Sequence, residues 1–441
     1  MSVIGIDIGS SFVDLAWAGE EAVKTAKVPC GDRAAAGAIL HALDQASAQW
    51  AVELSKVNEI RIGSTGAVNM LLTRSGARVG LITTRGFHDT LALARQNRAD
   101  LYDPVARSLS PRFLVAPGCF KEVGGRLDAK GQELEPLSIE DVRSAAAKLV
   151  AEGVEAIAIC LLFSYVNAAH ERACAEIIRE AHPDLHVVLS SEVDGAAREY
   201  ERTVSACLEA WLRPWHVQTL SQIEAGLKRR KFGGRLLFGD SRGLLLNPAD
   251  AAAKVINQVA SGPAAAASAA ARICREHEAK LAIMMDVGSV SADIVLIENF
   301  APASTAGGTF AGVPIRQPMT DVASIALGGR SSDTVADTVI ELIPGGEGAN
   351  LTDALAVLGS IPESLALDAM ARIRPVADQM GTDLPTAAGR VQDAAADAIA
   401  EAILNYAVGR SVDPASVTLV ASGGLGGVLA EAVAERLGAA K

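Results

Sequence analysis

Four aspartates in two copies of one short motif have the clearest potential for chemistry in this chain. They are Asp7 and Asp14 in VIGIDIGSSFVDLAW, and Asp286 and Asp293 in IMMDVGSVSADIVLI. Each copy has an apolar run, the pattern Asp-x-Gly-x-x-x-x-Asp and a second apolar run, which predicts a β-hairpin with a turn of small residues. Such a turn offers backbone N–H groups and hydroxyls to an anion, and the Asp at its mouth suits a hydrated divalent cation.

The repetition of the motif is stronger evidence than either copy alone. One Asp and one Gly at a tight turn are ordinary hairpin chemistry. The two copies lie 279 residues apart and keep the same spacing between their aspartates. Two such hairpins facing each other would grip a nucleoside triphosphate.

Strand-like and helix-like segments alternate along the chain and must position these hairpins. The apolar run VEAIAICLLF at 154–163 is typical of a buried parallel strand. Further strands are predicted at 59–62, 78–83 and 186–190, and helices at 34–54, 140–151, 168–181 and 199–227. The last helix is expected to break near Pro214 and to connect the halves. The pattern indicates an α/β protein with two similar halves and a cleft, the architecture of actin, sugar-kinase and 70-kDa heat-shock ATPases.

A third glycine-rich element lies near the C-terminus. Residues 417–420 are predicted to form a strand, 421–427 a turn and 428–437 a helix. Gly423 and Gly424 in that turn would let a flat ring or a ribose approach the backbone closely. A tight strand-to-helix turn without a ligand is the alternative.

The composition argues against several classes of partner. The net charge of −12, from 52 acidic and 40 basic residues, disfavours nucleic acid, whose phosphates are held by basic surfaces. No apolar stretch approaches the roughly 20 residues that span a bilayer, and the N-terminus lacks a signal-peptide pattern. We therefore expect a cytoplasmic protein with neither nucleic acid nor membrane as partner. The scattered cysteines and histidines match no zinc or disulfide framework, and the sequence leaves open whether the chain forms an oligomer.

Three long segments resemble the hydantoinase A/5-oxoprolinase family. They are GARVGLITTRGFHDTLALARQNRADLYDP (76–104), GVEAIAICLLFSYVNAAHER (153–172) and LSSEVDGAAREYERT (189–203). The resemblance implies two actin-like (ribonuclease H-like) α/β domains, 1–195 and 196–441, with a nucleotide cleft between them. It also implies ATP-dependent phosphorylation of a carbonyl or cyclic amide oxygen for hydrolysis or carboxylation. A hydantoinase B-type subunit would be the partner, and a small molecule the substrate.

Matched residue by residue, the resemblance implies roles for individual positions. Asp7, Asp14, Asp286 and Asp293 would be the catalytic carboxylates, and Asp7 and Asp286 would hold Mg²⁺ through water. ATP would be bound by Gly9, Ser10, Ser11, Gly288, Ser289, Ser291, Gly328, Gly329, Gly423 and Gly424. The matched substrate segments contain Arg95, Asn97, Arg98, Asp100, Arg198, Glu199 and Arg202. Their Arg side chains offer bidentate donors to a polar cyclic amide or a carboxylate, and an interdomain network of ion pairs is the alternative.

Both loops depart from the family pattern Asp-x-Gly-Gly-Thr-x-Thr-Asp, and the chain stops where the family usually continues with a further domain. The replaced Gly and Thr positions are Ser10, Ser11 and Val13 in the first loop and Ser289, Val290 and Ala292 in the second. Each lost hydrogen bond to a charged phosphate costs roughly 1.5–3 kcal/mol. An ATP-dependent enzyme subunit is favoured because all four aspartates remain. A catalytically degenerate actin-fold binding or scaffold subunit is the main alternative, and another actin-fold phosphotransferase such as a sugar kinase is disfavoured by the family-like middle segments.

Overall fold

A computed structural model describes residues 2–9, 12–19, 22–31, 33–97, 102, 105, 110–288, 291–327, 330–331, 342–343, 349–362 and 368–439. Several residues with predicted roles lie outside these ranges: Ser10, Ser11, Arg98, Asp100, Ser289, Gly328 and Gly329. Their predicted roles therefore stay predictions.

The strands follow one another along the whole chain. In chain order they are β1 (Val3–Ile8), β2 (Phe12–Ala18), β3 (Val23–Pro29), β4 (Glu59–Ser64), β5 (Val79–Thr84), β6 (Phe120–Val123), β7 (Arg126–Leu127), β8 (Glu133–Glu135), β9 (Ala156–Cys160), β10 (His186–Leu189), β11 (Arg235–Gly239), β12 (Leu245–Leu246), β13 (Leu281–Val287), β14 (Ser291–Glu298), β15 (Ala301–Pro302), β16 (Ser304–Thr305), β17 (Gly308–Phe310), β18 (Val313–Ile315), β19 (Met319–Thr320), β20 (Val322–Ala326), β21 (Arg330–Ser331), β22 (Leu342–Ile343) and β23 (Thr418–Ser422).

Helices alternate with these strands. They are α1 (Ala35–Trp50), α2 (Gly66–Thr73), α3 (Thr90–Leu93), α4 (Ile139–Ala151), α5 (Ala169–Ala181), α6 (Ser190–Val193), α7 (Glu199–Arg229), α8 (Pro248–Ala253), α9 (Ser261–Glu276), α10 (Leu351–Val357), α11 (Ala369–Met380), α12 (Leu384–Val408) and α13 (Gly426–Leu437). Short 3-10 turns occupy Leu54–Lys56, Arg112–Leu114, Val255–Gln258 and Pro414–Ser416. The α/β class expected from the sequence is confirmed.

The chain divides into two compact units. The first unit contains Met1–Gly262 and Thr305–Met319, and the second contains Pro263–Ser304 and Thr320–Lys441. These units are defined by contacts within the fold, whereas the predicted boundary after residue 195 refers to the family's sequence regions. That boundary stays a prediction.

Among the described residues, the first unit contains two sheets of four or more strands. One has the strand order β12-β11-β4-β1-β2-β3, in which β1 is parallel to β4 and antiparallel to β2. The other has the order β10-β9-β5-β6, with every neighbouring pair parallel. All five residues of β9 are buried, as expected for an inner strand of a parallel sheet that is covered on both faces.

The second unit is built on the sheet β15-β14-β13-β23, with β20 paired to β14. Alternate residues of β13 enter different cores. Ile283 and Met285 pack into a core that includes residues of α12 and α13, whereas Ala282 and Met284 pack into a core with α9. Because both faces are covered, this strand is nearly continuous in apolar sequence up to Asp286.

Helix α7 differs from the prediction in two respects. It runs without a break from Glu199 to Arg229, with Pro214 inside it, and it lies entirely within the first unit instead of connecting the halves. Proline removes one hydrogen bond from a helix, but buried residues on both sides, such as Leu212 and Leu220, hold both parts of this helix against the core. No helix of the described residues combines the length and apolar character needed to cross a membrane.

Candidate functional site

The first hairpin has the register that the motif predicts. Asp7 on β1 lies directly opposite Asp14 on β2, and Gly9 N donates a 3.0 Å hydrogen bond to Phe12 O across the turn. The alternate positions Ile4, Ile6 and Ile8 and their partners Val13 and Leu15 are buried in one core. Since side chains alternate between the faces of a strand, both carboxylates lie together on the opposite face.

The backbone beside Asp7 consists of two glycines. A Cβ atom built on Gly63 or on Gly262 would lie 3.7 Å from Asp7 Oδ1. Ser261 Oγ joins the two segments, because it accepts a hydrogen bond from Ser64 N (3.3 Å) and donates one to Ser64 O (3.0 Å). A side chain at either glycine would be in van der Waals contact with the carboxylate of the exposed Asp7.

Asp14 has a cation on its other side. Lys27 lies opposite Asp14 on β3, and its Nζ is 2.6 and 2.8 Å from the two carboxylate oxygens. Both side chains are partly exposed, so this ion pair contributes little to stability. A second cation at Asp14 would have to displace Lys27 or share the carboxylate with it.

The second hairpin repeats the geometry of the first. Asp286 lies opposite Asp293, and Gly288 N donates to Ser291 O at 2.9 Å. Each hairpin also has a parallel neighbour strand, and the residues that follow these two strands make matching hydrogen bonds. Val287 O accepts from Leu425 N (3.0 Å) beyond β23, as Ile8 O accepts from Thr65 N (3.2 Å) beyond β4.

Asp293 is in a less polar setting than Asp14. Its cross-strand neighbour on β20 is Ser324, whose Oγ donates to Asp293 Oδ1. Burial and the nearby Asp286 carboxylate raise the pKa of Asp293 to about 6, although the hydroxyl of Ser324 opposes the shift. A carboxyl group with such a pKa can hold or release a proton near neutral pH.

The backbone of the turn after β23 packs against the second hairpin. Gly423 has φ +81°, and a Cβ atom there would lie 2.4 Å from both Asp286 Oδ1 and Val287 O. Gly424 is exposed, and a Cβ there would meet nothing within 4 Å. Helix α13 begins two residues later, so its N-terminal N–H groups also lie at this turn. The predicted strand, turn and helix are confirmed here, whereas adenosine binding stays a prediction.

Arg202 of the predicted substrate segments is completely buried. Its guanidinium donates to the hydroxyls of Ser164 and Ser190 and lies 3.5 Å from the buried Glu171 carboxylate. Glu171 also accepts hydrogen bonds from Leu161 N and from the backbone and hydroxyl of Ser191. These contacts favour the alternative of an ion-pair network, here within the first unit.

The other described substrate candidates lie nearer the surface. Arg95 pairs with the buried Glu201 at 2.6 Å. Arg198 is exposed and has φ +90°, and Glu199 begins α7 directly after it. Asn97 has an interaction with another part of the chain. The structure brings Arg95 and Arg202 into separate ion pairs, and the substrate-binding roles of all these residues stay predictions.

Two residues beside the paired carboxylates were not predicted from the sequence. Lys27 lies in the segment VKTAKVP, whose alternating pattern indicates a strand after the hairpin. The pairing of Lys27 with Asp14 could therefore have been predicted from the sequence. Ser324 had no such signal, because β20 pairs with β14 only through tertiary folding. Among the described residues, no group of three or more His, Cys, Asp or Glu side chains is arranged to hold a metal ion.

Several known proteins resemble this chain in sequence over most of its length. The alpha subunit of caprolactamase from Pseudomonas jessenii is 27% identical, with 99% of this chain and 67% of that protein covered. The gamma subunit of acetophenone carboxylase from Aromatoleum aromaticum is 28% identical, with 96% and 63% covered. An uncharacterized protein of Methanocaldococcus jannaschii is 28% identical, with 98% and 69% covered. The chain thus spans about two thirds of the length of these relatives.

Solved structures share the fold. A nucleotide-free structure of acetone carboxylase, an enzyme of ATP-dependent acetone carboxylation, matches with a TM-score of 0.85 at 23% identity, covering 100% of this chain and 68% of that one. The ATP-dependent caprolactamase from Pseudomonas jessenii matches with a TM-score of 0.77 at 25% identity, covering 99% and 68%. The model of the hydantoinase/oxoprolinase N-terminal region matches residues 3–182, and the hydantoinase/oxoprolinase model matches residues 202–441. This chain therefore belongs to the hydantoinase/oxoprolinase family.

Proposed function

We propose that this chain is the ATP-binding subunit of an enzyme that phosphorylates the oxygen of a cyclic amide or another carbonyl compound. The observation that carries the proposal is the repeated hairpin, with Asp7 opposite Asp14 and Asp286 opposite Asp293. An unrelated structural role would not require paired carboxylates with glycine backbone beside them in both hairpins. Relatives named as ATP-dependent caprolactamase and as carboxylase subunits support the same reaction class.

The chain's own residues fit Mg·ATP in three ways. Asp7 and Asp286 supply the hard oxygen atoms that hydrated Mg²⁺ prefers, and Gly63, Gly262 and Gly423 keep side chains away from them. Turns of this kind offer backbone N–H donors to phosphate oxygens. Bound Mg²⁺ would neutralise the charge that develops on the phosphates during transfer.

The first step of the proposed reaction forms one bond and breaks one. The amide oxygen attacks the γ-phosphorus of ATP, the bond from that phosphorus to the bridging oxygen breaks, and ADP leaves. Phosphorylation removes the resonance that protects the amide and converts its oxygen into part of a leaving group. Water then attacks the carbon and the C–N bond breaks, which opens the ring and leaves an acyl phosphate. A second water attacks the carbon of this acyl phosphate, and phosphate departs with the original amide oxygen.

We propose that a hydantoinase B-type subunit completes the second step. Three of the relatives are themselves described as subunits: caprolactamase alpha, acetophenone carboxylase gamma and acetone carboxylase beta. This chain spans about two thirds of the first two. Partner and substrate therefore belong to the proposal.

One observation favours a second candidate, a binding or scaffold subunit without turnover. Lys27 neutralises Asp14 in the first hairpin, and Val13 and Ala292 replace Thr residues of the family pattern. A loop with fewer hydroxyl donors holds phosphate less tightly. The two candidates differ in whether ATP is consumed.

Isotope transfer tests the proposed reaction. Lactams and hydantoins carrying ¹⁸O in the carbonyl are incubated with the chain and Mg·ATP, with and without a B-type subunit. The enzyme proposal predicts that ADP forms and that the released phosphate contains ¹⁸O. Unlabelled phosphate would contradict phosphorylation of the substrate oxygen, and absence of ADP with every substrate would favour the scaffold candidate.

A further inference from the structure

Two segments of the first unit meet beside the Asp7 carboxylate. Residues 63–65 end β4 and lead into α2, and residues 260–262 lead into α9. Each segment has one glycine at this point. A Cβ atom built on Gly63 would lie 3.7 Å from Asp7 Oδ1 and 4.0 Å from Gly262 Cα, and one built on Gly262 would also lie 3.7 Å from Asp7 Oδ1. Both backbones therefore face the same carboxylate oxygen.

Each segment is fastened to a different neighbour. Thr65 N and Thr65 Oγ1 both donate to Ile8 O, at 3.2 and 3.1 Å, so residues 63–65 are held at the end of β1. In the other segment, Ala260 N donates to Ser241 Oγ at 3.0 Å. Neither contact holds one segment against the other.

The hydroxyl of Ser261 joins the two segments. It accepts a hydrogen bond from Ser64 N at 3.3 Å and donates one to Ser64 O at 3.0 Å. Among the described residues, no other hydrogen bond links residues 63–65 with residues 260–262. Ser261 is only 3% exposed, so bulk water does not readily replace this hydroxyl. The spacing between the two glycine backbones therefore depends on the hydrogen bonds of one side chain.

The Ser64 and Asp7 side chains lie on opposite faces of the sheet. Gly63 is paired with Asp7, and Ser64 is paired with Ile8. Because neighbouring residues of a strand face opposite sides, Ser64 lies on the core side and Asp7 on the other. Ser64 and Ser261 accordingly line a cavity of about 40 Å³ together with Ile8. Ser261 thus acts on the backbone from the core side, and its effect on the carboxylate is indirect.

We propose that Ser261 is a positioning residue for Asp7. Its hydroxyl sets how closely the two glycine backbones approach the carboxylate, and so holds the carboxylate in the orientation that binds hydrated Mg²⁺. The proposal rests on the proposed function, in which Asp7 holds Mg²⁺ through water. Its physical reason is that a binding group must keep its place to within about 0.5 Å, which requires fixed surroundings.

Substitution of Ser261 by alanine tests the proposal through nucleotide affinity. Ser261→Ala should weaken binding of Mg·ATP, measured by calorimetry with the full chain, about tenfold, because the backbone beside Asp7 is no longer fixed. Ser268→Ala is the matched control, since this hydroxyl of the same helix bonds only to Ala264 O in its own helix (2.8 Å). It should bind as the unsubstituted chain does. Unchanged affinity in Ser261→Ala would overturn the proposal.

Two further variants distinguish the hydroxyl from a general disturbance of the fold. Ser261→Thr keeps the hydroxyl, and the cavity of about 40 Å³ beside it accepts the added methyl group. Its affinity should stay within about twofold of that of the unsubstituted chain. Ser261→Cys, whose thiol is a weak hydrogen-bonding group, should show an intermediate loss. A Thr variant as weak as the Ala variant would contradict a role for the hydroxyl.

A double-mutant cycle with Asp7→Asn tests whether Ser261 acts through Asp7. If the hydroxyl positions this carboxylate, Ser261→Ala should cause no further loss of Mg·ATP affinity once Asp7 is replaced. A further loss of about tenfold in the Asp7→Asn background would show that Ser261 supports the unit in general. That result would overturn the proposal.

Hydrogen exchange of the chain without nucleotide tests the fastening by itself. Ser261→Ala should speed exchange in peptides that contain Ser64 N–H and leave peptides from α4 of the same unit unchanged. Unchanged exchange at Ser64 would overturn the proposal. Its failure differs from that of the proposed function. No Mg·ATP binding by the unsubstituted chain would overturn both, whereas equal binding by the unsubstituted chain and Ser261→Ala would overturn the Ser261 proposal alone.

Discussion

The four aspartates share one position in the hairpin and differ in what faces them. Asp14 faces the ammonium of Lys27, whereas Asp293 faces the hydroxyl of Ser324. A cation stabilises the ionised carboxylate far more than a hydroxyl does. The same motif therefore has an ion pair at Asp14 in the first unit and a carboxyl group with a raised pKa at Asp293 in the second.

Replacing Asp293 by Asn should stabilise the protein at neutral pH. The pKa of Asp293 is about 6 in the folded chain and about 4 in the unfolded chain, so the folded state binds more protons between these values. Its contribution to stability is therefore greatest below pH 4 and is lost as pH rises through 6. The gain in the free energy of unfolding at pH 7 is expected to be of the order of 1–3 kcal/mol.

Chemical denaturation of Asp293→Asn and of the unsubstituted chain at pH 7 and pH 4, without nucleotide or Mg²⁺, measures this difference. The gain should disappear at pH 4. Asp393→Asn, at an exposed carboxylate of the same unit, is the control and should show no such gain. An Asp293→Asn variant less stable than the unsubstituted chain at pH 7 would contradict this description of the second hairpin.

At the scale of elements, the turn between β23 and α13 combines two adjacent glycines with different surroundings. Gly423→Ala places a Cβ 2.4 Å from Asp286 Oδ1 at a backbone with φ +81°, so we expect a loss of roughly 2–4 kcal/mol in unfolding free energy. Gly424→Ala enters open space and should cost less than about 1 kcal/mol. Denaturation of the two variants measures the difference, and equal losses would show that the turn does not press against Asp286.

The buried pair of Arg202 and Glu171 fastens α7 to the ends of β9 and β10. Arg202→Met leaves the Glu171 carboxylate buried without a cation, and we expect a loss of about 3–5 kcal/mol in unfolding free energy. Adding Glu171→Gln should recover part of that loss, which a double-mutant cycle measures. A stable Arg202→Met variant that fails only in substrate binding would instead support the substrate role implied by the sequence.

Local patterns predicted these elements well and their partners poorly. The alternation of apolar residues around Asp7 and Asp286 was enough to predict both hairpins, and the structure adds the register that places their aspartates opposite each other. The segment Arg198–Thr203 looks like exposed charge, yet Arg202 is buried because its partner Glu171 lies 31 positions earlier in the chain. Pro214 was expected to end a helix, and packing of α7 on both sides of it outweighs the missing hydrogen bond.

At the scale of the whole molecule, each unit carries one copy of the same hairpin beside a parallel strand and a glycine-lined turn. The likeness to the acetone carboxylase structure extends over the full chain, so the fold that contains both hairpins is shared with that structure. We expect Mg·ATP binding to depend on both copies. Loss of one carboxylate would then weaken binding even though the other hairpin is intact.

Calorimetric titration with Mg·ATP tests this central claim most directly. The unsubstituted chain should bind, and Asp7→Asn and Asp286→Asn should each weaken binding at least about tenfold, since each removes a carboxylate that is proposed to hold Mg²⁺ through water. Asp44→Asn and Asp393→Asn, at surface ion pairs of the first and second unit, should bind as the unsubstituted chain does. No binding at millimolar Mg·ATP, or unchanged affinity in both hairpin variants, would contradict the assignment of the paired hairpins as an ATP site.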